Sequence, residues 1–392
     1  LVVDMGGTTT DVAVIVNGRP SITDGGAVVG SHRTMVEAVD MTTVGLGGDS
    51  EVRIDATDVL GPVLLGPERA IPISRLALDY PSVHAVLDRQ LASSGSLTSD
   101  GRLLVSTAPA DVEISDLREA SVLARLASGP APVSEVATSA LEQRAAVRLQ
   151  ARGLIRVATM TPTDASAIVN FVPNVDTEAA RKVAAILARQ MNPMGGVVAD
   201  QATALAQLVI ETLNRRSADF VLRVALDADD VDHRGGDGLL SASLAGHRKV
   251  TTVQISLSSP LTAIGAPAGA YYPAVAALVG TSACVPDHAD VANAVGAVIG
   301  QVRVRRSATI TQPSRGQFRV HLDGQPTFGS VENARVAARD LLQVAALVDA
   351  ESAGASTPEL TETWQERIAH MNGQDVFVEG TLTVEASGRP RF

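Results

Sequence analysis

The sequence predicts an α/β fold that is interrupted by a helical insertion and followed by a small α+β domain. Two short runs rich in β-branched residues, 1–3 and 12–16, flank a glycine-rich segment and indicate paired antiparallel strands. Apolar spacing is helical through the middle of the chain, returns to an α/β pattern, and finally alternates with period two. We therefore expect an α/β lobe in two parts, a mainly helical insertion and a terminal domain, divided as 1–110, 111–248, 249–300 and 301–392.

Composition limits the classes of function. The chain has 392 residues, of which 45% are apolar and 19% charged, so a folded core is expected. The net charge of −11 disfavours nucleic acid and anionic membranes as partners. Cys284 is the single cysteine, which fits a reducing cytosol, and its apolar neighbours predict a buried thiol. The sequence contains no run of about 18 apolar residues, so it predicts no transmembrane helix.

The first candidate site is the segment between the two opening strands. It contains Gly6, Gly7, Thr8, Thr9 and Thr10, and it is closed at its ends by the aspartates Asp4 and Asp11. Glycines lack the Cβ that would keep a ligand from the backbone, so bare amides and threonine hydroxyls could surround a phosphate. Asp4 could hold a divalent cation through water. The alternative is an ordinary Gly-Gly hairpin; a further turn is predicted at Asn17-Gly18.

Two later segments have a related character. Asp40 precedes a strand end that is followed by Gly47, Gly48 and Asp49, which predicts either a second backbone cradle or a simple turn. The small residues Gly265, Ala266, Pro267 and Ala268 follow a predicted strand and precede a helix, predicted over Ala274–Val279. Small residues at such a turn let a base or a phosphate approach the helix N-terminus.

The helical insertion contains a long helix that we predict to begin at Ser134, and Gly153 and a strand follow it. This order is also typical of a winged-helix DNA reader, but the acidic balance is against it, and the arginines fit a solvated helix face. Thr161–Ala165 then predicts a turn and a helix start, with Asp164 capping free amides.

These segments carry a resemblance to a known family. The opening Asp-x-Gly-Gly-Thr-x-x-Asp resembles a phosphate loop of the actin-like ATPase and sugar-kinase superfamily. Together with the segments that begin at Asp40, Thr161 and Ile264, it resembles the hydantoinase A / 5-oxoprolinase family. Two residues depart from the family pattern: Thr42 stands in place of a histidine and Asp49 in place of a glycine.

The resemblance implies a ribonuclease-H-like lobe and a cytoplasmic, ATP- and Mg²⁺-using hydrolase of cyclic amides such as hydantoins and 5-oxoproline. It implies Asp4, Asp11 and Asp40 as catalytic carboxylates and Asp4 as the metal-holding residue. The glycine and threonine loop, the 47–49 segment and the 265–268 turn would bind the nucleotide. The loop resembles the second-lobe copy, so we expect the later half of a longer protein, a missing first lobe or partner subunit, and an oligomer.

Two other functions stay open from the sequence. Because the chain has one copy of the loop, it could be a non-catalytic nucleotide-binding or scaffolding subunit. A sugar-type kinase would need a hydroxyl substrate and a base, and no residue stands out as that base.

Overall fold

The computed structural model describes residues 1–16, 18–23, 28–29, 32–33, 38–55, 57–58, 61–93, 95, 97–109, 111–170, 172–192, 194–322, 324, 326–371 and 374–391. These form two compact units, residues 1–290 and 291–392, and each is described by itself. The mixed α/β class predicted from the sequence is confirmed. The turn predicted at Asn17-Gly18 lies partly outside the described residues, because Asn17 is not among them.

Unit 1 contains seventeen described strands, several of them two residues long. They are β1 Val2–Met5, β2 Thr10–Ala13, β3 Ile15–Val16, β4 Arg19–Pro20, β5 Ile22–Thr23, β6 Val28–Val29, β7 His32–Arg33, β8 Ala38–Val39, β9 Met41–Val44, β10 Ser50–Ile54, β11 Val63–Arg69, β12 Ile71–Pro72, β13 Leu103–Ser106, β14 Ala131–Pro132, β15 Ile155–Thr159, β16 Leu261–Ile264 and β17 Ala283–Cys284.

The helices of unit 1 lie between these strands. They are α1 Ile73–Asp79, α2 Val83–Ala92, α3 Leu117–Arg125, α4 Val133–Val136, α5 Ala140–Ala151, α6 Pro162–Val169, α7 Thr177–Ala188, α8 Ala202–Ala228, α9 Asp237–Leu244 and α10 Ala268–Leu278. A 3₁₀ turn at Ala289–Val291 includes the last two residues of unit 1 and the first residue of unit 2. Among the described helices, none combines the length and apolar character needed to cross a membrane.

The opening strands form the centre of a five-stranded sheet of order β17-β16-β1-β2-β9. β1, β2 and β9 are antiparallel neighbours, whereas β16 and β17 run parallel to β1. Strands far apart in sequence, with β1, β2 and β9 from the first 44 positions and β16 and β17 from beyond position 260, therefore share one sheet. Val3 and Met5 of β1 are fully buried in a core that α8 and α10 complete, and this burial is the main driving force for the assembly.

A second sheet, of order β12-β15-β13-β14, lies within the same unit, and β10 and β11 form a hairpin. The segment expected to be mainly helical thus also contains β14 and β15. Helix α5 begins after Ser139 rather than at Ser134, because the short helix α4 ends at Val136 and a capping box of Ser139 and Glu142 starts the next helix. Helix α10 begins at Ala268, six residues before the predicted start, with Pro273 inside it.

The prediction that the Cys284 thiol is buried is wrong, because its side chain is exposed. It lies on β17, at the edge of the five-stranded sheet, where fewer neighbours cover a side chain than in the centre.

Unit 2 is an α+β arrangement with its own core. Its elements are α11 Ala292–Ile299, β18 Val302–Ser314, β19 Gln317–Val320, β20 Thr327–Phe328, α12 Val331–Ser352, β21 Ala355–Met371 and β22 Gln374–Pro390. The sheet has the order β20-β19-β18-β22-β21. Helix α12 packs on this sheet through a row of buried residues spaced four apart, which are four alanines and Leu342. The sole tryptophan, Trp364, stacks on Phe377.

Candidate functional site

The opening hairpin places two carboxylates side by side. β1 and β2 pair in a register that sets Asp4 opposite Asp11 and Met5 opposite Thr10. Because directly opposed residues of an antiparallel pair share a face of the sheet, the two aspartates are neighbours on the face opposite Met5 and Thr10. The structure therefore brings together two of the three predicted catalytic carboxylates.

The loop between these strands leaves two backbone donors without a partner. The amide of Gly6 donates to the carbonyl of Thr9 at 2.9 Å and so closes the turn. The amides of Gly7 and Thr8 make no hydrogen bond to any described residue. Adjacent unbonded amides at a turn form a concavity of positive potential, which is the arrangement that binds anions in phosphate loops.

The three threonine hydroxyls have different surroundings. Thr8 is exposed and its hydroxyl has no partner among the described residues, whereas that of Thr9 donates to Asp11 at 3.4 Å. Thr10 is fully buried, and its hydroxyl donates to the carbonyl of Leu46 at 2.6 Å. The prediction that Thr10 would contact a phosphate is therefore corrected: its position on β2 points it into the core.

The glycine segment at 45–50 lies directly beneath the loop. The amide of Gly48 donates to Gly6 O at 3.1 Å and that of Asp49 to Gly7 O at 2.7 Å. A Cβ on Gly47 would lie 2.6 Å from the same two carbonyl oxygens, so the two backbones touch. The prediction that Gly47, Gly48 and Asp49 form a second cradle for a ligand is therefore corrected. All three residues are buried, and the amides of Gly48 and Asp49 donate to the first loop rather than face a ligand.

The Asp49 side chain makes its hydrogen bonds to other residues of the protein. Its side chain is buried, accepts from Arg69 at 2.9 Å and from the Thr163 hydroxyl at 3.2 Å, and lies against Gly7. A Cβ on Gly7 would approach Asp49 Oδ2 to 2.6 Å, which explains why a glycine stands there. The guanidinium compensates the carboxylate, so Asp49 does not present an uncompensated negative charge to an anion.

The Thr161–Ala165 element joins this assembly. Thr161 and Asp164 form a capping box at the start of α6, which confirms the predicted cap. Asp164 also accepts from the amide of Ser74 at 2.8 Å and from that of Ile73 at 3.3 Å, at the start of α1. Its complete burial raises the pKa of this carboxyl, although these hydrogen bonds oppose the effect. Thr163 donates to Gly48 O from both its amide and its hydroxyl, each at 2.8 Å.

The small-residue turn after β16 also contacts the phosphate-loop assembly, at Asp4 and at Gly48. Gly265 has a φ of +96°, and a Cβ there would lie 2.9 Å from Asp4 Oδ1. A Cβ on Gly48 would lie 3.7 Å from the ring of Pro267, which is ordinary van der Waals contact. The buried Tyr271 hydroxyl donates to Pro162 O at 3.0 Å, which ties α10 to α6. Ala266 is exposed and Ala268 is buried at the helix start.

Asp40 is not part of this assembly. It precedes β9, whose register sets Met41 opposite Ala13 and Val44 opposite Thr10, so the loop adjoins the other end of the strand. Asp40 lies four positions before Val44 along extended chain, a distance of roughly 13 Å. The prediction that Asp40 acts with Asp4 and Asp11 is therefore corrected. Thr42, on the same strand, is exposed.

Two residues of the assembly were not predicted as site residues. Arg69 and Thr163 reach Asp49 from 20 and 114 positions away. Thr163 lies in the Thr161–Ala165 segment, which was predicted only as a turn and helix start, and no local pattern marks Arg69. Among the described residues, no group of three or more His, Cys, Asp or Glu side chains is arranged to hold a metal ion. A magnesium ion held through water by Asp4 stays a prediction.

Comparison with known proteins matches one part of the chain to a family. Residues 1–71 match the model of the hydantoinase/oxoprolinase family, so the predicted resemblance is confirmed for this segment. No curated protein matches the chain. A solved structure of acetone carboxylase in its nucleotide-free form, from a study of ATP-dependent acetone carboxylation, is similar with a TM-score of 0.48 and 14% identity. The match covers 100% of this chain and 46% of that one.

Proposed function

We propose that residues 1–290 bind the polyphosphate of Mg-ATP at the 6–8 turn, and that the protein is an ATP-dependent hydrolase of cyclic amides of the hydantoinase/5-oxoprolinase type. The observation that carries this proposal is the pair of unbonded amides, Gly7 and Thr8, next to the carboxylates Asp4 and Asp11. Three distant segments brace this turn, which is the preorganisation that an anion site needs.

The sheet supports the lobe that the resemblance implies. We propose that the order β9-β2-β1-β16-β17, with three antiparallel strands followed by two parallel ones, is that of a ribonuclease-H-like lobe of the actin-like ATPases. In this lobe the loop after β1 and the turn after β16 lie at the same edge, because the two strands are parallel neighbours. A nucleotide could therefore touch both.

Each residue has a definite part in the proposal. Asp4 would hold the magnesium ion through water, and the amides of Gly7 and Thr8, together with the Thr8 hydroxyl, would bind phosphate oxygens. The turn at Gly265–Ala268 and the start of α10 would lie under the adenosine, where the helix end favours negative charge. When bound, ATP would supply the phosphoryl group that makes an amide carbonyl electrophilic.

The proposal also includes a first lobe, a cellular location, an oligomeric state and a small-molecule partner. We propose that a first lobe, on a longer chain or on a partner subunit, closes the nucleotide cleft, and that the protein works in the cytoplasm as an oligomer. A cyclic amide is the proposed small-molecule partner, with no nucleic acid or membrane partner, in keeping with the net charge of −11.

Calorimetric titration with the magnesium complex of a nonhydrolysable ATP analogue tests the nucleotide site. Saturable binding that Thr8→Val or Asp4→Asn weakens supports the proposal, and heats of dilution alone would refute it. Phosphate release from ATP is then measured with the first lobe supplied, in the presence and absence of hydantoin or 5-oxoproline. Release that depends on the amide identifies the hydrolase.

A non-catalytic nucleotide-binding or scaffolding subunit is the second candidate. It is favoured by the position of Asp40 at the far end of β9, which leaves two carboxylates rather than three at the loop. Binding of the analogue without any amide-dependent phosphate release, with the first lobe present, would select this candidate.

A further inference from the structure

A surface cavity of about 390 Å³ lies in unit 1, and Asp49 and Arg69 are among the residues that line it. Its walls come from the end of β11, from β12, from α1, and from α5 and β15. The volume falls within the roughly 300–1,000 Å³ typical of small-molecule sites. The cavity is thus large enough for a metabolite.

The charges around this cavity do not balance. Arg69, Arg75 and Arg156 line it, and Asp49 is the single acidic residue that does so in the part of the chain that the structure describes. Arg69 is paired with Asp49 at 2.9 Å. Neither Arg75 nor Arg156 has a hydrogen bond or an ion pair with any described residue, although ion pairs engage many other arginines of the unit. Two guanidinium charges therefore remain uncompensated at one cavity.

The remaining walls are partly apolar. Ile71, Ile155 and Val157 line the cavity together with the arginines. Ile155 and Val157 are almost fully buried and Ile71 is partly exposed, so a bare inorganic anion would leave Ile71 in contact with water, whereas an organic body would cover it. The combination of an apolar wall with two free guanidinium groups is suited to an organic acid, because guanidinium binds carboxylate with two parallel hydrogen bonds.

We propose that this cavity binds a small organic dianion, such as a dicarboxylate, through Arg75 and Arg156. The Asp49–Arg69 pair forms the wall shared with the phosphate turn, since Gly7 lies against both residues. The proposal does not require nucleotide binding at that turn, so the two sites are tested separately.

The test is calorimetric titration of the full chain with glutarate, with glutaramide as the uncharged ligand of similar shape and inorganic phosphate as the inorganic dianion. We expect saturable binding of glutarate, weaker binding of phosphate and none of glutaramide. The double variant Arg75→Gln/Arg156→Gln is expected to lose glutarate affinity by at least about tenfold, because each removes a charged hydrogen-bond donor. Both residues are exposed and unpaired, so this variant is expected to fold.

Arg144→Gln is the matched control, because Arg144 is exposed on α5 and does not line the cavity. It should bind glutarate as the unmodified protein does. The proposal is overturned if glutarate gives no saturable heat, if phosphate binds as tightly, or if the double variant keeps its affinity. It is also overturned if glutarate and the ATP analogue compete for one site. Loss of analogue binding alone would refute the nucleotide proposal and leave this one intact.

Discussion

The amide of Asp49 donates to the carbonyl oxygen of Gly7 at 2.7 Å, across 42 positions of sequence. This bond and the neighbouring one from Gly48 to Gly6 turn the carbonyls of the loop towards the interior. The amides of Gly7 and Thr8 are then left without a partner among the described residues, and the loop is shaped as an anion site before any ligand arrives. The first three predictions test this arrangement.

Gly47→Ala should disturb the loop although Gly47 itself touches no ligand. The added Cβ would lie 2.6 Å from Gly6 O and Gly7 O, so one backbone must move. We expect a loss of about 1–3 kcal/mol in the free energy of unfolding and a fall of about tenfold or more in affinity for the ATP analogue. Urea unfolding and calorimetry measure the two effects. Gly238→Ala, in open space on α9, should leave both unchanged or raise stability slightly.

Substitution of Thr10 should lower the stability of the fold, whereas substitution of Thr8 should lower the affinity for the ATP analogue. Thr10→Val removes the donor to the buried carbonyl of Leu46, at an expected cost of about 1–3 kcal/mol. Thr8→Val changes an exposed side chain and should alter the free energy of unfolding by less than about 0.5 kcal/mol. Only Thr8→Val is expected to weaken analogue affinity without destabilising the fold. The opposite pattern would contradict the assignment of the two hydroxyls.

Asp4 and Asp40 should differ in their effect on the nucleotide. Asp4→Asn is expected to lower magnesium-dependent affinity for the analogue by about tenfold or more, since a carboxylate is exchanged for a weaker oxygen ligand. Asp40→Asn should leave that affinity unchanged, because β9 separates it from the loop. Calorimetry with and without magnesium measures both variants. Equal losses would place Asp40 at the site after all.

Glu51 and Glu142 should give opposite pH dependences. Burial raises the pKa of Glu51 above its usual 4.5, although Arg102 and Arg53 oppose this. The folded state therefore holds the proton more tightly, and the contribution of Glu51 to stability is largest below pH 4.5 and lost as pH rises through the folded pKa. Relative to the unmodified protein, Glu51→Gln should become more stable from pH 4 to pH 8 on the basis of that shift. Urea unfolding across this range is the measurement.

For Glu142 the hydrogen bond from Arg125, followed by that from Thr138, lowers the pKa from 4.5 to about 2. The stability that its carboxylate contributes is present above pH 4.5 and is lost as pH falls towards 2. The stability deficit of Glu142→Gln should therefore shrink on acidification. If the two variants follow the same trend, the assigned surroundings of one carboxyl are wrong.

Gly380→Ala should destabilise unit 2. Gly380 lies across the β21–β22 pairing from Glu366, and the ring of Trp364 covers its backbone, so an added methyl group would collide with the ring. A loss of about 1–3 kcal/mol is expected, because overpacking forces the ring away. Trp364 is the sole tryptophan, so its fluorescence during urea unfolding follows this unit. Gly329→Ala, which meets nothing within 4 Å, is the control.

Local patterns predicted the local features well. The antiparallel strands around the Gly6-Gly7 turn and the cap formed by Asp164 depend on residues close in sequence, and both are present. The predicted start of α5 at Ser134 was wrong for a local reason, since two competing caps lie five residues apart and Ser139 forms the cap. The predicted burial of Cys284 was wrong because an apolar neighbourhood in sequence does not tell an edge strand from a central one.

The sequence by itself determined the mixed α/β class, the glycine turn between two strands, and the family resemblance of residues 1–71. Only the tertiary structure decided which groups of that turn are free. The Thr10 hydroxyl donates to the carbonyl of Leu46, and the Asp49 carboxylate accepts from Arg69. Asp40 lies at the far end of β9 from the turn. The physical reason is that burial and hydrogen-bond partners come from strand register and from residues distant in sequence, 36 positions apart for Thr10 and Leu46 and 20 for Asp49 and Arg69, and local spacing encodes neither.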